Sequence, residues 1–99
     1  MVIVRHVYQA KYGKGDELVA LLKEFDKVIE KAAGFRTAAR VLTDASGPFF
    51  TVVHEIQVAS LADWETGNAR LIRSKEFEAW FPRWLALAES GRREFYNLV

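Results

Sequence analysis

The order of the patterned segments constrains the fold of this 99-residue chain more than any single motif does. Residues 2–10 are rich in β-branched and aromatic side chains, which is typical of a strand. An amphipathic helix follows, because leucine, phenylalanine, valine and isoleucine recur at helical spacing between Leu18 and Ala32. Asp16 is the expected N-cap of this helix, and Gly34 is the expected C-terminal stop.

Two further strands are predicted on either side of a turn. Segments 35–43 and 49–58 flank the sequence Asp-Ala-Ser-Gly-Pro, which favours a type I-based reversal. Separating the side chains by face predicts a register in which Arg36 lies about opposite Glu55, on the face away from the helices. The opposite, core face is expected to carry Phe35, Ala39, Val41, Phe50, Val52 and Ile56.

The second half of the chain predicts a helical region that is divided near Ser74. Ser60 and Asp63 form a capping box in its acidic form, which opens a helix through about Arg73. Ser74 then caps a second segment, and Pro82 predicts either a kink there or the first turn of a separate helix. One stripe of this segment consists of Phe77, Trp80, Phe81, Trp84, Leu85 and Ala88.

Gly91 is expected to end the second helical region, and residues 93–98 are typical of a last strand. The resulting order, β-α-β-β-α-β, predicts a ferredoxin-like α+β fold in a single domain over residues 1–99. This fold is a four-stranded antiparallel sheet with its helices on one face. It hosts many unrelated functions, so the fold alone does not define the chemistry.

The composition excludes several classes of function. The chain has no cysteine, which excludes disulfides and thiolate chemistry, and its formal net charge of +1 gives no electrostatic case for nucleic acid or anionic membranes. Residues 1–6 lack the features of a signal peptide, and no apolar run approaches the roughly eighteen residues of a membrane span. We therefore expect a soluble, cytoplasmic protein.

The uncovered face of the predicted sheet is only partly polar. Its apolar members are Ile3, Val7, Leu42, Phe49 and Val53. A mixed surface of this kind favours association, so we expect this sheet face to form a two-fold symmetric homodimer that closes into a barrel.

Three segments carry a resemblance to a known superfamily. They are residues 11–13 (Lys-Tyr-Gly), residues 51–61 together with Trp64, and residues 91–96 (Gly-Arg-Arg-Glu-Phe-Tyr). Together they resemble the dimeric α/β-barrel superfamily, which includes NIPSNAP-like and antibiotic-biosynthesis-monooxygenase-like proteins. In the first of these segments, members often have Lys-Pro-Gly, and this chain has Tyr12 in place of the proline.

The resemblance implies several possible activities. Members include cofactor-free monooxygenases, haem-degrading enzymes, small decarboxylases or isomerases, and proteins with no known activity. The haem-degrading members are similar in fold but rely on a helical histidine with an asparagine and a tryptophan nearby. Trp64 lies on the second predicted helix, but that helix has no histidine and the first strand has no asparagine, so haem degradation is not expected. No cofactor is expected either.

His6 and His54 are the only histidines, and they fall on strands that neighbour each other in this fold. Both are expected on the helix-facing side of the sheet. They are either core histidines with internal hydrogen-bond partners or acid–base groups in a pocket between sheet and helices. Two histidines without a clustered carboxylate supply too few ligands for a metal site.

Arg5, Arg36, Arg40 and Glu55 are expected together on the uncovered sheet face. They form either a structural charge network or a site for a carboxylate or phenolate, since a guanidinium binds planar anions with two hydrogen bonds.

The aromatic stripe of the second helical region has two interpretations. With Trp64 and Tyr8 it either belongs to the core or walls a pocket for a flat apolar ligand.

Two functional hypotheses follow. The first is a homodimer of unassigned function that binds a small aromatic or acidic metabolite through Arg5, Tyr8, Arg36, Arg40, Glu55 and Trp64. The alternative is a cofactor-independent, monooxygenase-like enzyme that acts on an activated aromatic or acidic metabolite. Its candidate catalytic bases are His6, His54 and Glu55.

Overall fold

The computed structural model describes residues 1–35 and 39–99. The elements within them are β1 (Val2–Ala10), α1 (Gly15–Ala33), β2 (Arg40–Thr43), β3 (Thr51–Val58), α2 (Leu61–Ile72), α3 (Lys75–Leu87) and β4 (Ala88–Asn97). The strands form one antiparallel sheet in the order β2-β3-β1-β4, and the helices pack on one of its faces. The predicted ferredoxin-like α+β fold is confirmed. None of these helices is long and apolar enough to cross a lipid bilayer.

The predicted division of the second helical region is confirmed at Ser74. The Ser60 hydroxyl accepts a hydrogen bond from the Asp63 amide at 3.1 Å, which caps α2. The Ser74 hydroxyl accepts one from the Phe77 amide at 3.1 Å and caps α3 in the same way. Pro82 lies inside α3, which continues through it to Leu87.

Two predicted boundaries were wrong. The cap position of α1 is Lys14, whose side chain makes no capping bond, and Asp16 lies in the first turn instead, where its negative charge favours the positive helix end. Gly91 does not end a helix but lies inside β4, which begins at Ala88. The Tyr8 ring explains why this strand position is a glycine, because a Cβ at Gly91 would lie 2.7 Å from that ring.

The hairpin has the predicted faces but a different register. The Cα partner of Glu55 on β2 is Arg40, so the expected position of Arg36 opposite Glu55 was wrong by four residues, and Arg36 itself lies outside the described residues. The turn is longer than predicted, because Asp44 accepts a hydrogen bond from the Thr51 amide (3.2 Å) and closes it there. A shift by an even number of residues leaves the faces unchanged.

The core lies between α1 and the sheet. It is formed mainly by Leu18, Leu21, Leu22, Phe25, Ile29, Val52 and Trp80. The Trp80 ring stacks on Phe25 with a centroid distance of 4.0 Å, and its indole N–H donates to the Leu21 carbonyl at 3.1 Å. These contacts fix α3 against α1 and so define the space that remains between α3 and the sheet.

Candidate functional site

A cavity of about 350 Å³ lies between the sheet and helices α2 and α3. Its walls include the rings of Phe25, Phe35, Trp64, Phe77, Trp80, Phe81 and Trp84. All three tryptophans of the chain are among them. A mostly apolar cavity of this volume, with a few polar groups, is typical of a small-molecule site.

The aromatic stripe of α3 serves both the core and the cavity. Trp80 is buried against Phe25, as a core interpretation requires. Phe77 and Phe81 are stacked at 5.3 Å, and Phe81 and Trp84 are stacked at 5.7 Å, because residues three or four apart lie on the same side of a helix. These three nearly parallel rings are stacked one after another along one side of the cavity.

The polar groups of the cavity come from β1 and β4. His6 and Arg93 are Cα partners on these neighbouring strands, and Arg93 Nε donates a hydrogen bond to His6 Nε2 at 2.9 Å. The Arg93 guanidinium also lies 4.7 Å from the centre of the Trp64 ring, in a cation–π contact. Arg93 therefore brings a fixed positive charge to an aromatic wall.

The environment keeps the ring groups at this end neutral. Burial and the positive charge of Arg93, with a further contribution from His54, lower the pKa of His6 to about 3. Burial raises the pKa of Tyr8 well above its usual value, so its phenol stays protonated at neutral pH. Because Arg93 Nε–H can only donate, neutral His6 carries its proton on Nδ1.

Because residue 91 is a glycine, the Tyr8 ring can pack directly against the backbone of β4. The ring stacks parallel to His6 with centroids 5.7 Å apart, and it meets Trp84 edge-on at 5.3 Å. Any side chain at Gly91 would overlap the Tyr8 ring. The sequence-predicted ligand residues Tyr8 and Trp64 are thus brought together in one cavity.

His54 lies on the helix-facing side of the sheet, as predicted, but it is not part of the cavity lining. Its ring is 1% exposed and packs beneath α1, where Nε2 lies 2.6 Å from Asp26 Oδ1. Asp26 and Arg93 are partners that the sequence analysis missed. Among the three candidate bases, only His6 borders the cavity in the described structure.

Three other predicted ligand residues, Arg5, Arg40 and Glu55, lie on the opposite sheet face. Glu55 accepts hydrogen bonds from Arg5 at 2.5 Å and from Arg40 at 2.6 Å, and it is only 3% exposed. Burial raises the pKa of Glu55, but the two guanidinium groups outweigh burial and hold it below its usual value. The Arg5 guanidinium carbon also lies 5.3 Å from the centre of the Tyr96 ring, in a cation–π contact. Arg36, the remaining candidate, lies outside the described residues.

The same face carries the predicted apolar side chains. Val53 is the Cα partner of both Val7 and Leu42, which places the three in one row across the strands. Phe49 lies in the turn before β3 and is 69% exposed. We call this surface, formed by Ile3, Arg5, Val7, Arg40, Leu42, Val53, Glu55 and Tyr96, the open face. Over residues 1–35 and 39–99, no group of three histidine, aspartate or glutamate side chains could hold a metal ion.

Comparison with known proteins shows the fold. The chain matches no protein-family model and has no significant match among curated proteins. An uncharacterized NIPSNAP domain protein from Burkholderia xenovorans has a similar structure, with a TM-score of 0.86, 19% identity, and coverage of 100% of this chain and 95% of that chain. The predicted resemblance to NIPSNAP-like proteins is confirmed at the level of structure.

Oxygenases are also among the similar structures. An antibiotic biosynthesis monooxygenase has a TM-score of 0.69 and 18% identity, with coverage of 100% of this chain and 99% of that chain. A mutant form of SnoaB, a cofactor-independent oxygenase from Streptomyces nogalater, has a TM-score of 0.73 and 11% identity, with coverage of 98% and 91%. The resemblance to monooxygenase-like proteins is likewise confirmed as a similarity of fold.

Proposed function

We propose that this protein binds a small, flat aromatic metabolite with an acidic group in the cavity between the sheet and helices α2 and α3. The observation that carries this proposal is the series of stacked rings, Phe77, Phe81 and Trp84, in a cavity that is also lined by the positively charged Arg93. Such a series favours offset-stacked or edge-to-face contacts with a planar aromatic ring. Arg93 is suited to a carboxylate or phenolate, since its guanidinium donates charge-assisted hydrogen bonds.

Calorimetric titration with 2-naphthoate and naphthalene tests this proposal, because the two probes differ only in the carboxylate. We expect 2-naphthoate to bind and Arg93→Gln to weaken it by about 10- to 100-fold, the usual value of a charge-assisted hydrogen bond. Arg70→Gln is the matched control, since Arg70 is exposed on α2 and outside the cavity lining. Equal affinities for the two probes, or no effect of Arg93→Gln, would contradict the proposal.

We further propose that the open face forms a homodimer. Exposed Leu42, together with Val7 and Val53, leaves an apolar area that two copies would cover by packing their sheets against each other. The Glu55 carboxylate forms ion pairs with both Arg5 and Arg40, so burial of the open face would leave no unpaired anion there. Light scattering at micromolar concentration should give the mass of two chains.

A cofactor-independent oxygenase is the second candidate function, and the position of His6 at the cavity supports it. In that case His6 Nε2 would take the proton of a bound phenol as the Nδ1 proton of the ring leaves, because its pKa of about 3 disfavours a doubly protonated ring. The electron-rich phenolate would then react with oxygen. The similarity in fold to SnoaB, a cofactor-independent oxygenase, is consistent with this chemistry. Oxygen uptake with 1,5-dihydroxynaphthalene should then require the protein and be abolished in His6→Gln. Binding of 2-naphthoate without any oxygen uptake would leave the first function alone.

A further inference from the structure

We propose that Asp26, His54 and His6 form a proton route that connects the cavity with the outer surface of the protein beside α1. In this proposal His6 exchanges the proton with the ligand, whereas His54 and Asp26 are positioning residues that fix its tautomer and carry the proton away. The proposal rests on the proposed ligand site only for the origin of the proton. The route itself is a property of the ligand-free chain.

The residues follow one line across the sheet. His54 on β3, His6 on β1 and Arg93 on β4 are successive Cα partners, so their side chains lie in a row on the helix-facing side. Asp26 on α1 extends the row beyond His54. Its side chain is 28% exposed, whereas His54 is 1% exposed and His6 borders the cavity. The row therefore has one end in solvent and the other in the candidate site.

The hydrogen bonds at the two ends define which ring nitrogen carries each proton. Arg93 Nε–H donates to His6 Nε2, so neutral His6 is protonated on Nδ1. The Asp26 carboxylate accepts from His54 Nε2, so a neutral His54 ring has its lone pair on Nδ1. The two inner nitrogens are thus a donor on His6 and an acceptor on His54.

These inner nitrogens are buried, and neither has a hydrogen-bond partner in the described part of the chain. The two ring centroids are 6.2 Å apart. Two imidazoles joined by one N–H···N hydrogen bond have centroids roughly 5 Å apart, given a nitrogen separation of about 3 Å. A ring movement of about 1 Å would therefore join them, and the high cost of an unpaired buried donor and acceptor favours that movement.

The proton balance of the route closes without another reactant. When Arg93 turns to the anion that forms on the ligand, His6 Nε2 is free to take the ligand's proton. The Nδ1 proton of His6 then passes to His54 Nδ1, and the Nε2 proton of His54 passes to Asp26 and on to water. Each N–H bond that breaks is matched by one that forms. Both rings end neutral in exchanged tautomers, and the charge of the ligand anion remains beside Arg93.

Nitrogen-15 NMR of the histidine rings in the ligand-free protein tests the route directly. We expect His6 to be protonated on Nδ1, His54 to be protonated on Nε2, and a scalar coupling between the two Nδ1 nuclei across the hydrogen bond. Asp26→Asn should remove this coupling and shift the His6 Nδ1 resonance, although residue 26 does not contact His6. Glu30→Gln, one helical turn further along α1 and exposed, is the matched control and should change neither.

Opposite tautomers in the wild-type protein, or a His6 signal that is the same in Asp26→Asn and wild type, would overturn the proposal. The wild-type measurement needs no variant, so it stands even if Asp26→Asn folds poorly. A second experiment follows proton release with a pH indicator after mixing with 4-nitrophenol. Asp26→Asn should slow the release by about tenfold or more without weakening binding, in keeping with the usual size of proton-transfer effects. If 4-nitrophenol fails to bind while the tautomers are as expected, the ligand proposal fails and the hydrogen-bonded row remains.

Discussion

Replacing Gly67 by alanine separates two opposing effects in a single helix. Gly67 lies inside α2, where alanine is usually favoured over glycine by about 1 kcal/mol. In this structure, however, a Cβ at Gly67 would lie 2.1 Å from Cζ and 2.5 Å from Cε1 of Phe35. The Phe35 ring packs directly on the helix backbone at this point, and it also borders the cavity.

The expected net effect is destabilising. Contacts between carbon atoms are normally about 3.5–4.0 Å, so the ring would have to move by more than 1 Å. Overpacking of this kind costs about 1–3 kcal/mol, against the gain of about 1 kcal/mol from helix propensity. Gly67→Ala should therefore lower the free energy of unfolding by about 0–2 kcal/mol, and the midpoint temperature by about 4–8 °C per kcal/mol in a domain of this size.

Thermal and urea denaturation at one fixed protein concentration measure the effect, since the proposed dimerisation would make the midpoint depend on concentration. The sign should reverse in the Phe35→Ala background, where Gly67→Ala has no ring to displace and should stabilise by about 1 kcal/mol. Thr66→Ala, at the neighbouring exposed position, controls for helix propensity and should be neutral or slightly stabilising. A stabilising Gly67→Ala in the presence of Phe35 would refute this packing.

Three further predictions concern the two sheet faces. Val53→Asp places a charge in the middle of the open face, and light scattering should show one chain instead of two; a dimeric Val53→Asp protein would contradict the proposed interface. Because the pKa of His6 is about 3 in the folded protein and about 6.5 in the unfolded chain, the unfolded state binds this proton first on acidification. Lowering the pH from 7 to 5 should therefore reduce the free energy of unfolding of the wild type by about 2 kcal/mol more than that of His6→Gln, as measured by urea denaturation. The pKa of Glu55 is lowered in the folded protein, so its ion pairs stabilise above the ordinary glutamate pKa and are lost as the pH falls below it. Glu55→Gln should destabilise by about 1–3 kcal/mol at pH 7, and this difference should shrink in acid; a difference that is independent of pH would argue against the contacts with Arg5 and Arg40.

The order of elements and the two sheet faces could be predicted because their causes are local in sequence. The capping contacts of Ser60 and Ser74 join residues three apart, and the alternation of faces is inherent in any strand. The hairpin register is different, because it depends on where the turn closes. Phe50 has a positive φ of 62° and packs edge-on against Tyr12 at 5.0 Å, which extends the turn by a contact between distant residues.

The candidate site could be predicted only in part for the same reason. Helical spacing identified the aromatic stripe, but spacing alone does not show that Trp80 is core whereas Phe81 borders a cavity. Asp26 was hidden in a helix face with many charged residues, where one buried partner, His54, distinguishes it from its neighbours. Arg93 was hidden because its contact with His6 spans almost the whole chain and depends on the pairing of the first and last strands.

The alternation of strand residues also separates the two proposed roles of the sheet. Arg5 and Glu55 face the open side, while their immediate neighbours His6 and His54 face the helices. One sheet thus carries an ion network on one surface and a histidine row on the other. The described lining residues of the cavity belong to one chain and lie on the helix-facing side of the sheet, away from the open face. Ligand affinity should accordingly be the same in wild type and in Val53→Asp, even where the variant no longer dimerises. A loss of both together would mean that the second copy shapes the cavity through the sheet.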